Sequence, residues 1–127
     1  MSVSSDTTPQ FASDIYSPDR LLGDGPHKTL AVTIASGQNL VRGAVVGRVT
    51  ADGKYKLSAA AAGDGSEVAR GVVAVDVDAT AGDTEGQLFV FGEVNQDSLV
   101  FGAGHDADSV REDLRAVGIF LKPVVSA

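Results

Sequence analysis

Two apolar, β-branched runs set what this chain can fold into. Ala44–Val49 reads AVVGRV and Val68–Val77 reads VARGVVAVDV, with turns rich in glycine and aspartate between them. Short apolar runs of valine, bounded by such turn signals, form strands rather than helices. The second run is nearly continuous in valine and alanine, the pattern of a strand buried on both faces. No spaced set of catalytic residue types lies between the two. The chain has 127 residues, which makes one domain, or one domain with a tail. Hydrophobic residues are 43% of it but aromatics only 6%, with no tryptophan, so the core must be built from Val, Leu, Ile and Ala. Fifteen glycines suit many tight turns between short strands.

Several classes of protein fit poorly. There is no cysteine, hence no disulfide framework and no thiolate metal site, as in a chain that folds in a reducing cytoplasm. The start, MSVSSDTTPQ, has neither the basic patch nor the apolar segment of a secretory signal. No apolar run approaches the roughly 20 residues that cross a bilayer, so a soluble protein without a membrane partner is expected. The net charge is −7, and the ten basic residues are scattered singly. Binding to a phosphate backbone needs clustered Lys and Arg, so direct nucleic-acid binding is not expected.

The chain divides near residue 27. Residues 1–27 hold three of the four prolines and one base, Arg20, against four acids, Asp6, Asp14, Asp19 and Asp24. Such a segment cannot bury enough apolar surface to offset its ordering entropy, and a mobile N-terminal arm is expected there. Its few apolar residues, Phe11, Ile15, Tyr16, Leu21 and Leu22, look like anchors for a partner surface. An inert tail is the competing reading.

Residues 28–127 read as a β-rich domain. Leu30, Val32 and Ile34 alternate with Thr29, Ala31 and Thr33, which predicts a strand over Lys28–Ala35 with one buried face. Leu40–Thr50 continues as a strand, interrupted at Gly43 and Gly47 by a bulge or a close backbone approach. Asp52-Gly53 is a hairpin signal. Ser58–Ser66 reads as a loop, because Gly63-Asp64-Gly65 stops any helix in the alanines before it. Asp78–Gly86 is a polar turn, Gln87–Asn95 a strand, and Leu99–Phe101 a short further one. One helix is expected. Ser109 and Glu112 fit an S-x-x-E capping box, Asp106 and Asp108 suit the positive helix end, and Val110, Leu114 and Val117 repeat at helical spacing. Gly118 ends the helix, and Ile119–Lys122 closes the fold as a strand that Pro123 terminates.

Candidate chemistry is sparse. His27 and His105 sit in separate loops with no second His or any Cys beside them, and read as solvated polar residues rather than catalysts. Asp76-x-Asp78 opens like a calcium loop, but Thr80 and Ala81 occupy the next ligand position and the obligatory glycine. Asp106-x-Asp108 fails at Val110. Both read as turn and capping carboxylates, with a weak oxygen-ligand Ca²⁺ site as the alternative. Gly102-Ala103-Gly104 lacks the βαβ context of a phosphate loop, and no G-x-S-x-G occurs. Neither a catalytic residue nor a cofactor or metal is assigned.

The order and spacing of LVRGAVVGRV (40–49), YKL (55–57), GVVAVDV (71–77), LFVFGEV (88–94) and LRAVGI (114–119) carry a resemblance. The chain resembles the head decoration proteins of tailed phages, the lambda protein D type, over roughly Leu30 to Val124. It lacks that type's tryptophan and has a distinct N-terminal region. The resemblance implies a mainly β fold of the β-clip kind, with one short C-terminal helix and a mobile N-terminal arm. It implies a non-enzymatic capsid decoration protein on the outer surface of the phage head, made in the host bacterial cytoplasm. Such a protein binds the major capsid protein as a homotrimer at three-fold sites of the expanded head and stabilises it against packaged DNA. On this reading the capsid-binding arm is Gln10, Phe11, Ile15, Tyr16, Leu21 and Leu22. Val72–Val77 and Val124-Val125 are candidates for the trimer contact, with core filling as the simpler role of the former. Two other readings stay open. One is another virion module, such as a fibre or head–tail component. The other is a nucleotide hydrolase of the dUTPase type, because the β-clip architecture is shared with those trimeric enzymes.

Overall fold

The computed structural model describes residues 21–23 and 25–122. In chain order the strands are β1 (Lys28–Ile34), β2 (Asn39–Leu40), β3 (Val45–Arg48), β4 (Tyr55–Leu57), β5 (Ala69–Val73), β6 (Val77–Asp78) and β7 (Thr84–Asn95). A 3-10 turn (Gln96–Ser98), the helix α1 (Ala107–Val117) and β8 (Ile119–Lys122) follow. The mainly β fold with one short C-terminal helix is as expected.

Six strands form one sheet in the order β1-β4-β3-β5-β7-β8, and β1 also pairs with β7. That second pairing closes the first five strands into a barrel, with β8 continuing outside it. β7 is the spine. Its first half runs antiparallel to all of β1, from Ile34↔Thr84 to Lys28↔Phe91, and its last four residues run parallel to β8, from Gly92↔Ile119 to Asn95↔Lys122. β2 and β6 make a separate two-stranded ribbon.

The valine-rich strands are buried on both faces, because consecutive residues serve different cores. Val45, Val72 and Phe89 face a core with Leu21, Leu99, Val110, Leu114 and Ile119, under α1. Their chain neighbours Val46, Val73 and Leu88 face a second core with Ile34, Leu40, Ala44, Val77 and Ala79. Each fully buried side chain of this kind stabilises the fold by roughly 1.5–3 kcal/mol. Val72 and Val73 are thus core residues, whereas Val75, past the strand's end, is 58% exposed. Val124 and Val125 lie outside the described residues.

The glycines at 43 and 47 act where the sequence pointed. Gly43 takes φ +98°, and a Cβ there would lie 2.7 Å from the Ser98 carbonyl oxygen, so the chain breaks between β2 and β3. At Gly47 the β3–β5 register shifts, and a Cβ would meet the Ser66 carbonyl oxygen at 2.1 Å. The Asp52-Gly53 turn joins β3 to β4, with Gly53 at φ +74° and Asp52 Oδ1 accepting from the Lys54 amide at 3.0 Å. Leu99–Phe101 forms only an isolated bridge, Ala44↔Val100.

Two further sequence expectations change. The helix cap is Asp106, not Ser109. Asp106 Oδ1 accepts from the Ser109 amide at 2.8 Å, and the Ser109 hydroxyl accepts from the Asp106 amide at 2.9 Å, so Ser109 is the third helical residue. An aspartate four residues before Val110, the first apolar position of the helical repeat, competed for the role and won, since both residues cap well. The C-terminus is as expected, with Gly118 left-handed at φ +106°. The second change is β1. Its alternation predicts one buried face, but only Ile34 is buried and Val32 half-buried, while Leu30 is 52% exposed.

Candidate capsid-binding surface

Four of the six arm residues, Gln10, Phe11, Ile15 and Tyr16, lie outside the described residues. The other two belong to the domain. Leu21 is 1% exposed and packs into the core under α1, and Leu22 is half-buried against the same core. The backbone holds them there. The Asn95 amide donates to the Leu21 carbonyl at 2.7 Å, Leu22 bridges Val94 in antiparallel register, and the Gly23 amide donates to the Glu93 carbonyl at 2.9 Å. Residues 21–23 thus form a short stretch along one edge of β7, while β8 occupies the other edge of the same residues. Leu21 and Lys122 both flank Asn95, so the chain reaches both ends of its described part at one end of the sheet.

His27 pins this region. Its Nε2 donates to the Glu93 carbonyl at 2.9 Å, and its ring meets Phe89 edge to face at 5.8 Å. The ring sits where a side chain at 92 would be. Gly92 has φ +129°, and a Cβ there would be 2.3 Å from His27 Cδ2. His105 does similar work at the other end of the core, where Nε2 donates to the Glu67 carbonyl at 2.8 Å and Nδ1 lies 2.8 Å from the Ser109 hydroxyl. Neither histidine is the solvated polar residue that its loop position implied. His27 ties its loop to β7 and His105 ties its own to the turn before β5, and no local sequence signal reports a contact 38 or 66 residues away.

The outer face beside this root carries Phe91 and Phe120. Both are partly exposed, and their rings meet edge to face at 6.5 Å. Lys122 Nζ lies 3.7 Å from Glu93 Oε1 between them and the sheet end. These residues were not singled out by the sequence, since an aromatic in a strand reads first as core.

The carboxylates in question are committed to their own chain. Asp76 Oδ1 accepts from the Arg42 amide at 2.7 Å, and Asp78 Oδ1 accepts from the Thr80 amide and hydroxyl. Those Thr80 contacts, side chain before backbone, hold the Asp78 carboxyl below its ordinary value. Among the described residues no group of three or more His, Cys, Asp or Glu is placed to hold a metal ion, and no helix is long and apolar enough to cross a membrane. A depression of about 280 Å³ between β6 and the start of β7 is lined by Asp76, Asp78 and Glu85 without a histidine, lysine or arginine.

The described residues form a small closed β scaffold in which many polar side chains serve turns, caps and loop clips. Residues 11–120 match the family model of the bacteriophage lambda head decoration protein D, and the chain belongs to that family. No curated protein matches it. The protein is therefore a phage head decoration protein, a structural component associated with the virion capsid.

Proposed function

We propose that this protein binds as a homotrimer at three-fold sites on the outer surface of the expanded phage head. There it contacts the major capsid protein and stabilises the shell against the pressure of packaged DNA. The contact is made by an N-terminal arm in which Gln10, Phe11, Ile15 and Tyr16 engage the shell and Leu21 and Leu22 form the root. The observation that carries this reading is the anchoring of Leu21–Gly23 on β7 within a chain of this family. An arm rooted in a rigid core gives up less freedom on docking than one that trails from a loose end.

Ordering backbone costs roughly 1–2 kcal/mol per residue, so a short strand around Phe11–Tyr16 is favoured over ordering all residues before Leu21. Such a segment can add to a sheet edge of the capsid protein. Three arms on one trimer then act at high effective concentration, and weak single contacts become tight together.

The test is co-sedimentation with empty shells of the parent phage, compact and expanded, with copies per shell counted. The full chain is compared with one lacking residues 1–20. The cut belongs before Leu21, because removing Leu21 would open the core. Saturable binding of the full chain to expanded shells, near one copy per capsid subunit, with the shortened chain folded but unbound, is the expected result. A handful of copies per particle would instead indicate a vertex or tail component. Full binding by the shortened chain would remove the arm from the account.

A further inference from the structure

Among the described residues, β1 has one paired edge and one edge left largely open. One edge pairs with β7 through all seven residues. On the other edge, Ile34 alone meets β4, at Tyr55. Among the described residues, nothing pairs with that second edge from Lys28 to Thr33. Proteins usually blunt such an edge with charges, proline, a bulge or shortness. Here Lys28 and a bulge sit at the strand's start, and the stretch TLAVT (29–33) has no such device. A second edge is open among the described residues. β8 is last in the sheet order and pairs there with β7 alone, and its Phe120 is 44% exposed.

We propose that the open edge of β1, centred on Leu30, is a subunit contact whose occupant is a second copy of this chain, presenting its β8 edge and Phe120. This rests on the homotrimer reading and assigns its contact. Two different edges on one chain join head to tail, and a head-to-tail contact that closes makes a ring. Area favours the ring. A standard interface engages about 20–30 residues on each side. The exposed stretch of β1 and the whole of β8 together supply only about ten. A pair of copies joined by one such contact is undersized. In a closed ring every subunit uses both edges, and each copy's contribution doubles.

The test uses the full chain, which has no cysteine of its own. Sedimentation equilibrium is run on the wild type, on Leu30→Arg and on Val75→Arg, an exposed site on another surface. A double variant, Ala31→Cys with Phe120→Cys, is treated with a short bismaleimide, free and on expanded shells, beside each single-cysteine variant. The expected results are a threefold fall in mass for Leu30→Arg with an unchanged circular dichroism spectrum, and an intact trimer for Val75→Arg. The double variant should give covalent trimers, and neither single variant should. A trimeric Leu30→Arg that still binds shells overturns the proposal. A trimeric Leu30→Arg that has lost shell binding also overturns it, and gives the edge to the capsid protein. Should Leu30→Arg not fold, the absence of cross-links, free and on shells, overturns it instead. Failure of the homotrimer reading itself is seen separately, in the wild-type mass and in the copies per shell.

Discussion

Replacing Leu21 by alanine separates a structural root from a docking residue. Leu21 is 1% exposed and packs in one core with Val45, Leu99, Val110, Leu114 and Ile119. The change deletes three buried carbons, at about 0.8 kcal/mol each, for about 2.4 kcal/mol of lost transfer free energy. The strands and helix around the site are fixed by their own pairings, so the space cannot fully collapse, and a cavity adds to the loss. A total of about 3–4 kcal/mol is expected, within the usual range of about 2–5 for such changes. The assay is urea unfolding of the full chain at fixed concentration, since subunit association raises apparent stability. The midpoint should fall with the slope unchanged. Leu22→Ala, half-buried, should cost well under half as much. A loss below about 1 kcal/mol for Leu21→Ala, with shell binding abolished, would refute this reasoning and return Leu21 to the arm.

Three further outcomes follow from the geometry. Gly92→Ala forces a side chain into the His27 ring at a positive φ, so it should cost about 1–3 kcal/mol by chemical denaturation; on a His27→Ala background the same change should cost less, because the clash is gone and only the backbone strain remains. Asp106→Ala removes the helix cap and should cost about 1 kcal/mol, read as a lower melting temperature with the sheet spectrum unchanged. Stability should fall on acidification. Lys56 and Ser66 hold the Asp64 carboxyl well below the usual carboxylate range, and Lys54 and the Ser36 amide hold Asp83 low. A carboxyl with a depressed folded pKa stabilises above its unfolded value, near 4, and that stabilisation is lost as pH falls below it. Melts between pH 7 and pH 2 should show the decline, and Asp64→Asn should flatten it. Lys54, raised by Asp83, contributes oppositely: its stabilisation is present below about 10.5 and lost above.

Local chemistry made much of this fold readable. Gly118 needs a left-handed backbone, Asp52-Gly53 turns a hairpin, and Val110 and Leu114 share a helix face, and each signal lies within a few residues of its effect. The two-sided burial of Ala69–Val73 was readable because no polar residue but Arg70 interrupts it. Ser109 reads as the cap for a local reason too. Asp106 and Ser109 can each cap, and only the backbone shows that the helix starts at Ala107. The break of Leu40–Thr50 into β2 and β3 needed more, since β2 leaves to pair with β6 and the Gly43 backbone closes on Ser98.

The surface was harder to read, because periodicity says that a face is covered and not by what. Leu30, Val32 and Ile34 alternate as a buried face does, but the described residues cover mainly Ile34. Leu21 shows the converse. Its surroundings are rich in proline and aspartate, so composition averaged over residues 1–27 assigns it to the arm, whereas its backbone pairing with Asn95 and its burial place it in the core. Composition cannot locate such a boundary, because one apolar side chain can anchor a polar segment when a distant strand offers both a backbone partner and a hole. β7 offers both at Asn95, and it carries β1 along its other half. Root and open edge are therefore coupled through one strand. A change in β7 that shifts its register by one residue would turn Phe89 out of the core under α1 and move the root of the arm at once. The placement of residues 21–23 and the packing of the domain are for this reason a single property of the fold.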